Sequence, residues 1–281
     1  MLAKKIHLHP YLYIPFVLGL TWGAWLLAVA TGQGVENLAV KVLLVAGLLS
    51  PALVALAFIL LGEDAEYHWD YWRRVFDPTL ISKQGFRLIF FLPLAIIFVS
   101  VLASLAFGGQ LSQLKIIPQV RAHIPSILFF LFYNLFIGPF PEELGWRGYW
   151  LDKLRHHLSG LKASLLVGLV WALWHLPLFL MRGYILQARS SHPLLVVLFF
   201  IELFPKSVIL TYLFFKNGRS TLAAILFHFM INFVNQLFEL NLVTAGIQTL
   251  LYIAVAVYLV GKNKEIFKRE ESAGSLEPAE G

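Results

Sequence analysis

Eight mostly apolar runs, each close to the roughly 20 residues that a helix needs to cross a bilayer, dominate this 281-residue chain. They lie at about 11–31, 38–61, 86–108, 122–139, 161–181, 193–215, 220–239 and 242–260. Another helical stretch, about 142–157, separates the fourth and fifth. Hydrophobic residues make up 59% of the chain and charged residues 14%. Ordinary globular chains hold about half and about a quarter, so a water-soluble fold could not cover its own surface. The expectation is an all-α polytopic membrane protein with about eight transmembrane helices. Residues 1–269 would form one helical domain, followed by a disordered, acidic tail at 270–281. The first run is too long for a cleaved signal peptide. Its Gly19-x-x-x-Gly23 has the form of a helix-packing notch.

The chain has no cysteine, which excludes disulfides, thiolate metal sites and a catalytic thiol. The net charge of +6 comes from bases in the loops between runs. That distribution suits lipid head groups and argues against a nucleic-acid partner. Of the 22 Lys and Arg, sixteen fall on one side of the expected bilayer, among them Arg73, Arg74, Lys153, Arg155, Lys216 and Arg219. Lys41, Lys115, Arg121, Arg182 and Arg189 fall on the other, and Lys206 lies within a run. The positive-inside rule therefore puts both termini in the cytoplasm of a multi-pass cell-membrane protein. The loop at about 62–85 mixes Trp69, Tyr71, Trp72 and Phe76 with charges. It reads as an interfacial helix over about 63–78, its aromatics at the head groups.

Ionisable groups inside a bilayer are costly, so each is a functional candidate. Gly138-Pro139-Phe140-Pro141 breaks one helix, and Glu142-Glu143 opens the next. Glu143 and Arg147 are i, i+4 and can pair. Glu142 points about 100° away from Glu143 and stays free for other work. An ordinary acidic helix start at the membrane surface is the plainer reading. His175 follows Trp171 by four residues, near the end of the fifth run. The legs 142–157 and 161–175 are nearly equal in length, so a hairpin turning at Ser159-Gly160 would bring Glu142 and His175 to one depth. His228, Asn232, Asn235 and Glu239 form a polar stripe at helical spacing in the seventh run. Counted from Ser220, His228 comes out shallower than His175. Glu202 and Lys206, beside Pro205, read as a self-neutralising pair at a kink.

Glu142-Glu143-x-x-x-Arg147, Trp171-x-x-x-His175 and His228-x-x-x-Asn232, in that order on separate helices, resemble the CPBP (Abi) family. That family includes the type II CAAX prenyl endopeptidases and bacteriocin-immunity proteins. Its second motif is usually F-x-x-x-H. Tryptophan stands at that aromatic position here, which reads as a mild change in a packing residue. The motif region spans about 138–236.

The resemblance implies an intramembrane endopeptidase with a conical active-site cavity. In it Glu142 and His175 would activate a water, and His228 and Asn232 would stabilise the oxyanion. Glu143 and Arg147 would support them. Its partners would be peptide or prenylated protein substrates and membrane lipids, and its reaction the removal of a CAAX C-terminal tripeptide. No cofactor is favoured; a zinc alternative would use Glu142, His175 and His228 as ligands, although no H-E-x-x-H occurs. The cavity should open toward the cytoplasm, because the 142–157 leg rises to a basic loop, with a second, lateral opening to lipid. The rival readings are a non-catalytic immunity or scaffold protein of the same fold, and a proton- or ion-coupled transporter.

Overall fold

The computed structural model describes residues 8–116, 124–189 and 192–268, and among them it contains helices and no strand. In chain order the helices are α1 (Tyr13–Ala30), α2 (Leu38–Gly62), α3 (Ala65–Phe76), α4 (Lys83–Ser104), α5 (Ile124–Phe136) and α6 (Pro139–Gly145). α6 runs on through a π-helical turn, Trp146–Leu151, into Asp152–Leu154. There follow α7 (Gly160–Trp174), α8 (Ile185–Arg189), α9 (Pro193–Lys216), α10 (Thr221–Leu237), α11 (Leu242–Lys262) and α12 (Lys264–Phe267). Side-chain caps start most of the long helices. Asn37, Asp64, Ser82, Ser159, Ser220 and Asn241 each accept a backbone N–H of the first turn that has no partner within the helix.

Among the described residues seven helical stretches are long and apolar enough to cross a membrane: Pro10–Ala30, Leu38–Gly62, Lys83–Phe107, Ile127–Leu154, Gly160–Phe179, Pro193–Lys216 and Leu242–Lys262. The remaining apolar run forms the shorter Thr221–Leu237. The chain is a multi-pass membrane protein. The expected fourth run and the motif helix form one stretch, broken at Gly138. The start of the fourth run and the tail at 270–281 lie outside the described residues.

Proline placement decides one contact at the core. Pro51 lies inside α2 and has no N–H to give the Gly47 carbonyl. Thr21 Oγ1 of α1 donates to that carbonyl at 3.5 Å, and Tyr13 donates to the Pro51 carbonyl at 2.9 Å. The close approach of α1 to α2 is at Gly47, which lies flush against the Trp25 indole. Gly19 and Gly23 have open space where their side chains would be, so the expected notch at those glycines is not used.

α3 lies across the end of the bundle with two unlike faces. Trp69, Trp72 and Phe76 point outward, as an interfacial helix requires, whereas Tyr71 and Arg74 are buried. The expectation that all of its aromatics sit at head groups is thus corrected for Tyr71, whose hydroxyl donates to the Leu144 carbonyl at 3.0 Å. Arg74 pairs with Asp70 at 2.9 Å and donates to the Gly148 carbonyl at 3.2 Å. Arg219 bonds both oxygens of Asp152, at 2.7 and 2.6 Å. That fork holds Arg219 at φ +64°, a left-handed backbone that residues other than glycine rarely adopt, in the tight α9–α10 turn. Both described chain ends reach this same end of the bundle. The His9 and His157 rings are 5.4 Å apart, and Arg155 donates to the Lys268 carbonyl.

Candidate active site

Pro139 and Pro141 occupy the first turn of α6, where a missing N–H costs nothing, and they set the helix going directly before Glu142. Glu142 and Glu143 are both buried, with different partners. Arg147 Nη1 donates to both oxygens of Glu143, at 2.8 and 3.1 Å, while Glu142 has no ion pair among the described residues. The Trp171 indole donates to Glu142 Oε2 at 2.7 Å. The other oxygen, Oε1, faces the space beside Gly138. A Cβ on Gly138 would stand 3.7 Å from Glu142 Oε1 and 4.0 Å from Asn232 Nδ2. The lack of a side chain there keeps the gap between carboxylate and amide open.

His175 caps the C-terminus of α7, and its Nδ1 donates to the Trp171 carbonyl at 2.7 Å. In the neutral ring that leaves Nε2 with a free lone pair. Trp171 therefore holds Glu142 with its indole and His175 with its backbone, and the two sit at one level of the α6–α7 hairpin. Its ring centre is also 5.0 Å from that of His228. His228 thus stands beside Trp171, at the level of Glu142 and His175. The shallowness counted from Ser220 is therefore corrected, and the start of α10 is itself packed inside the protein, with Ser220 and Thr221 fully buried.

His228 Nδ1 bonds Glu143 Oε1 at 2.8 Å. Glu143 is thus shared by a guanidinium and an imidazole, a second contact that the i, i+4 spacing alone does not show. Nε2 is the only ring nitrogen that His228 has left, and it donates only in the imidazolium form. Arg147, fully buried, also donates to Ser207 at 3.1 Å and stacks 5.0 Å from the Trp171 ring centre.

One cavity of about 730 Å³ contains Glu142, His175, His228 and Asn232. Among the described residues no three His, Asp or Glu side chains stand close enough to share a metal ion. The sequence pattern of the family described as type II CAAX prenyl endopeptidase, Rce1-like, matches residues 124–234. A CAAX prenyl protease 2 from Methanococcus maripaludis is 31% identical over 266 residues, covering 94% of this chain and 95% of that protein. The chain belongs to the Rce1-like CAAX prenyl endopeptidase family. It is a membrane protease.

Two expectations for this CAAX-type protease are corrected by the packing. Glu239 does not extend the stripe of α10. The helix ends at Leu237, Phe238 turns extended, and Glu239 lies exposed in the following segment. The cavity also does not open at the basic end. Its lining comes from the N-terminal part of α9, the C-terminal half of α10 and the first turns of α11. It continues to the segments Tyr184–Arg189 and Phe238–Leu240, at the end of the bundle remote from Asp152 and Arg219. The basic end is closed because Tyr13 packs against Trp146, Tyr149 and Trp150 there, with ring centres 5.5–5.8 Å apart.

Glu202 and Lys206 pair as expected and also line the cavity. Thr249 donates to the second Glu202 oxygen at 2.9 Å. Ser207 and the indole N–H of Trp171 are the site groups that sequence reasoning missed. A polar atom within an apolar run was the available signal for each.

Proposed function

We propose that Glu142, assisted by His175, is the general base that activates a water for attack on a peptide carbonyl. The observation that carries this reading is the buried Glu142 carboxylate, with no ion pair among the described residues and with Oε1 and Asn232 Nδ2 both bordering the open space at Gly138. The water oxygen bonds to the carbonyl carbon, and its proton passes to Glu142. The tetrahedral oxyanion is met by Asn232 Nδ2–H and by the His228 ring, which Glu143 holds through Nδ1. Donors fixed in a dry site lower such a barrier most. Collapse breaks the C–N bond, and the proton held by Glu142 goes to the leaving amine.

The substrate class proposed is the C-terminal peptide of a prenylated protein, supported by the name of the Methanococcus maripaludis relative. Entry of a cytoplasmic tail through the cavity mouth requires that the mouth face the cytoplasm. A second reading rests on the basic asymmetry. With the Lys- and Arg-rich end and both termini in the cytoplasm, the mouth faces the opposite side, and the substrates are peptides presented there. The metal-free route is part of the proposal. The experiment is digestion of a farnesylated CAAX peptide by the purified chain in excess chelator, read by mass spectrometry. Release of the intact C-terminal tripeptide supports the reading; an uncut peptide, or cutting that needs added zinc, opposes it.

A further inference from the structure

The cavity contains two cations besides its histidines, and they are differently placed. Lys206 is neutralised by Glu202 one helical turn away, and its ammonium lies 4.9 Å from the Tyr252 ring centre. Arg189, at the C-terminus of α8, is half-buried and lines the same cavity. No carboxylate among the described residues lies within ion-pair distance of it. Its guanidinium rests on the Phe199 ring, 5.9 Å from the centroid. A cation–π contact with an aromatic ring uses none of an arginine's N–H donors, so they stay available to another group.

The distance from Arg189 to the reacting centre suits a short peptide. The Phe199 ring centre is 5.2 Å from that of His175. Together with the 5.9 Å step, this puts the guanidinium no more than about 11 Å from the imidazole, a gap that roughly three extended residues can bridge. We propose that Arg189 is a docking site for the free C-terminal carboxylate of the substrate, three residues beyond the bond that is cut. The inference rests on the proteolytic reading and narrows it. The enzyme would measure its cut from a chain end and would act poorly on internal peptide bonds. Guanidinium and carboxylate match as two parallel hydrogen bonds, which an amide-capped terminus cannot form. Glu202 acts on Arg189 only from beyond ion-pair distance, its oxygens being bonded by Lys206 and Thr249, and Glu239 stands exposed at the mouth.

The test compares a farnesylated CAAX peptide as its free acid and as its C-terminal amide, with full-length wild-type protein, Arg189→Gln and Arg189→Lys in detergent. The wild type should prefer the acid by at least tenfold in kcat/KM, mostly through KM, as loss of a charge-assisted bond implies. Arg189→Gln should lose that preference by slowing on the acid while keeping the amide rate. Arg189→Lys should recover part of it. A merely structural role would slow both substrates alike and leave their ratio unchanged, which overturns the inference. Equal cutting of acid and amide by the wild type overturns it too, while leaving the proteolytic reading intact. Failure of the wild type to cut either peptide overturns the proteolytic reading and this inference with it.

Discussion

Trp171 Nε1 lies 2.7 Å from Glu142 Oε2, so the aromatic residue of the second motif holds the proposed general base. The F-x-x-x-H pattern of the wider family supplies a ring but no donor at this position. Here the indole leaves one carboxylate oxygen bonded and directs the other to the open side of Gly138. Trp171→Phe keeps the ring against Arg147 and His228, and the backbone bond to His175, but removes the N–H. The expected result is a fall in kcat on the order of tenfold with little change in KM, the size of one hydrogen bond to a charged group. An unchanged kcat would return Trp171 to a packing role.

Glu143 is fully buried between Arg147 and His228. Glu143→Ala leaves a buried guanidinium unpaired, which costs on the order of 3–5 kcal/mol. A lowered thermal midpoint in detergent is the expected outcome, together with loss of activity. Stability equal to wild type would contradict the brace assigned to Glu143.

The basic end and the cavity mouth lie at opposite ends of the bundle, so one topology experiment decides between the two substrate readings. The chain has no cysteine, so single cysteines can be placed at exposed His156, on the basic end, and at exposed Arg182, on the mouth side. In intact cells an impermeant maleimide should label only one of the two. Labelling of position 156 alone puts the mouth in the cytoplasm and admits prenylated tails. Labelling of position 182 alone follows the positive-inside rule and directs the site to peptides on the outer face.

The long helices were legible in the sequence because a bilayer sets their length. The hairpin lengths paired Glu142 with His175, and the i, i+4 spacing on α10 paired His228 with Asn232, but only the family resemblance brought the two pairs to one cavity. The open end of the cavity did not follow. Equal legs fix the relative depth of two residues but do not say which end of the bundle is packed shut. That depends on Tyr13 meeting Trp146 and Trp150, residues more than a hundred positions apart whose meeting no local pattern announces. Gly19 and Gly23 failed as a notch for a similar reason. The spacing was present, but the large partner, Trp25, meets Gly47 of the neighbouring helix. Glu239 was misplaced because helical periodicity was carried past Leu237, where the backbone turns extended.

The central claim is that Glu142 acts in the reaction and has little part in holding the fold. The direct measurement is kcat on a farnesylated CAAX peptide for wild type and Glu142→Gln, with the thermal midpoint of each in the same detergent. Glutamine keeps an oxygen to accept the Trp171 N–H but cannot take a proton from water. The account predicts loss of kcat by roughly a hundredfold or more, the scale of general-base catalysis, with a midpoint close to wild type. A Glu142→Gln protein that still cleaves at a comparable rate, or that loses activity only by unfolding, would contradict it.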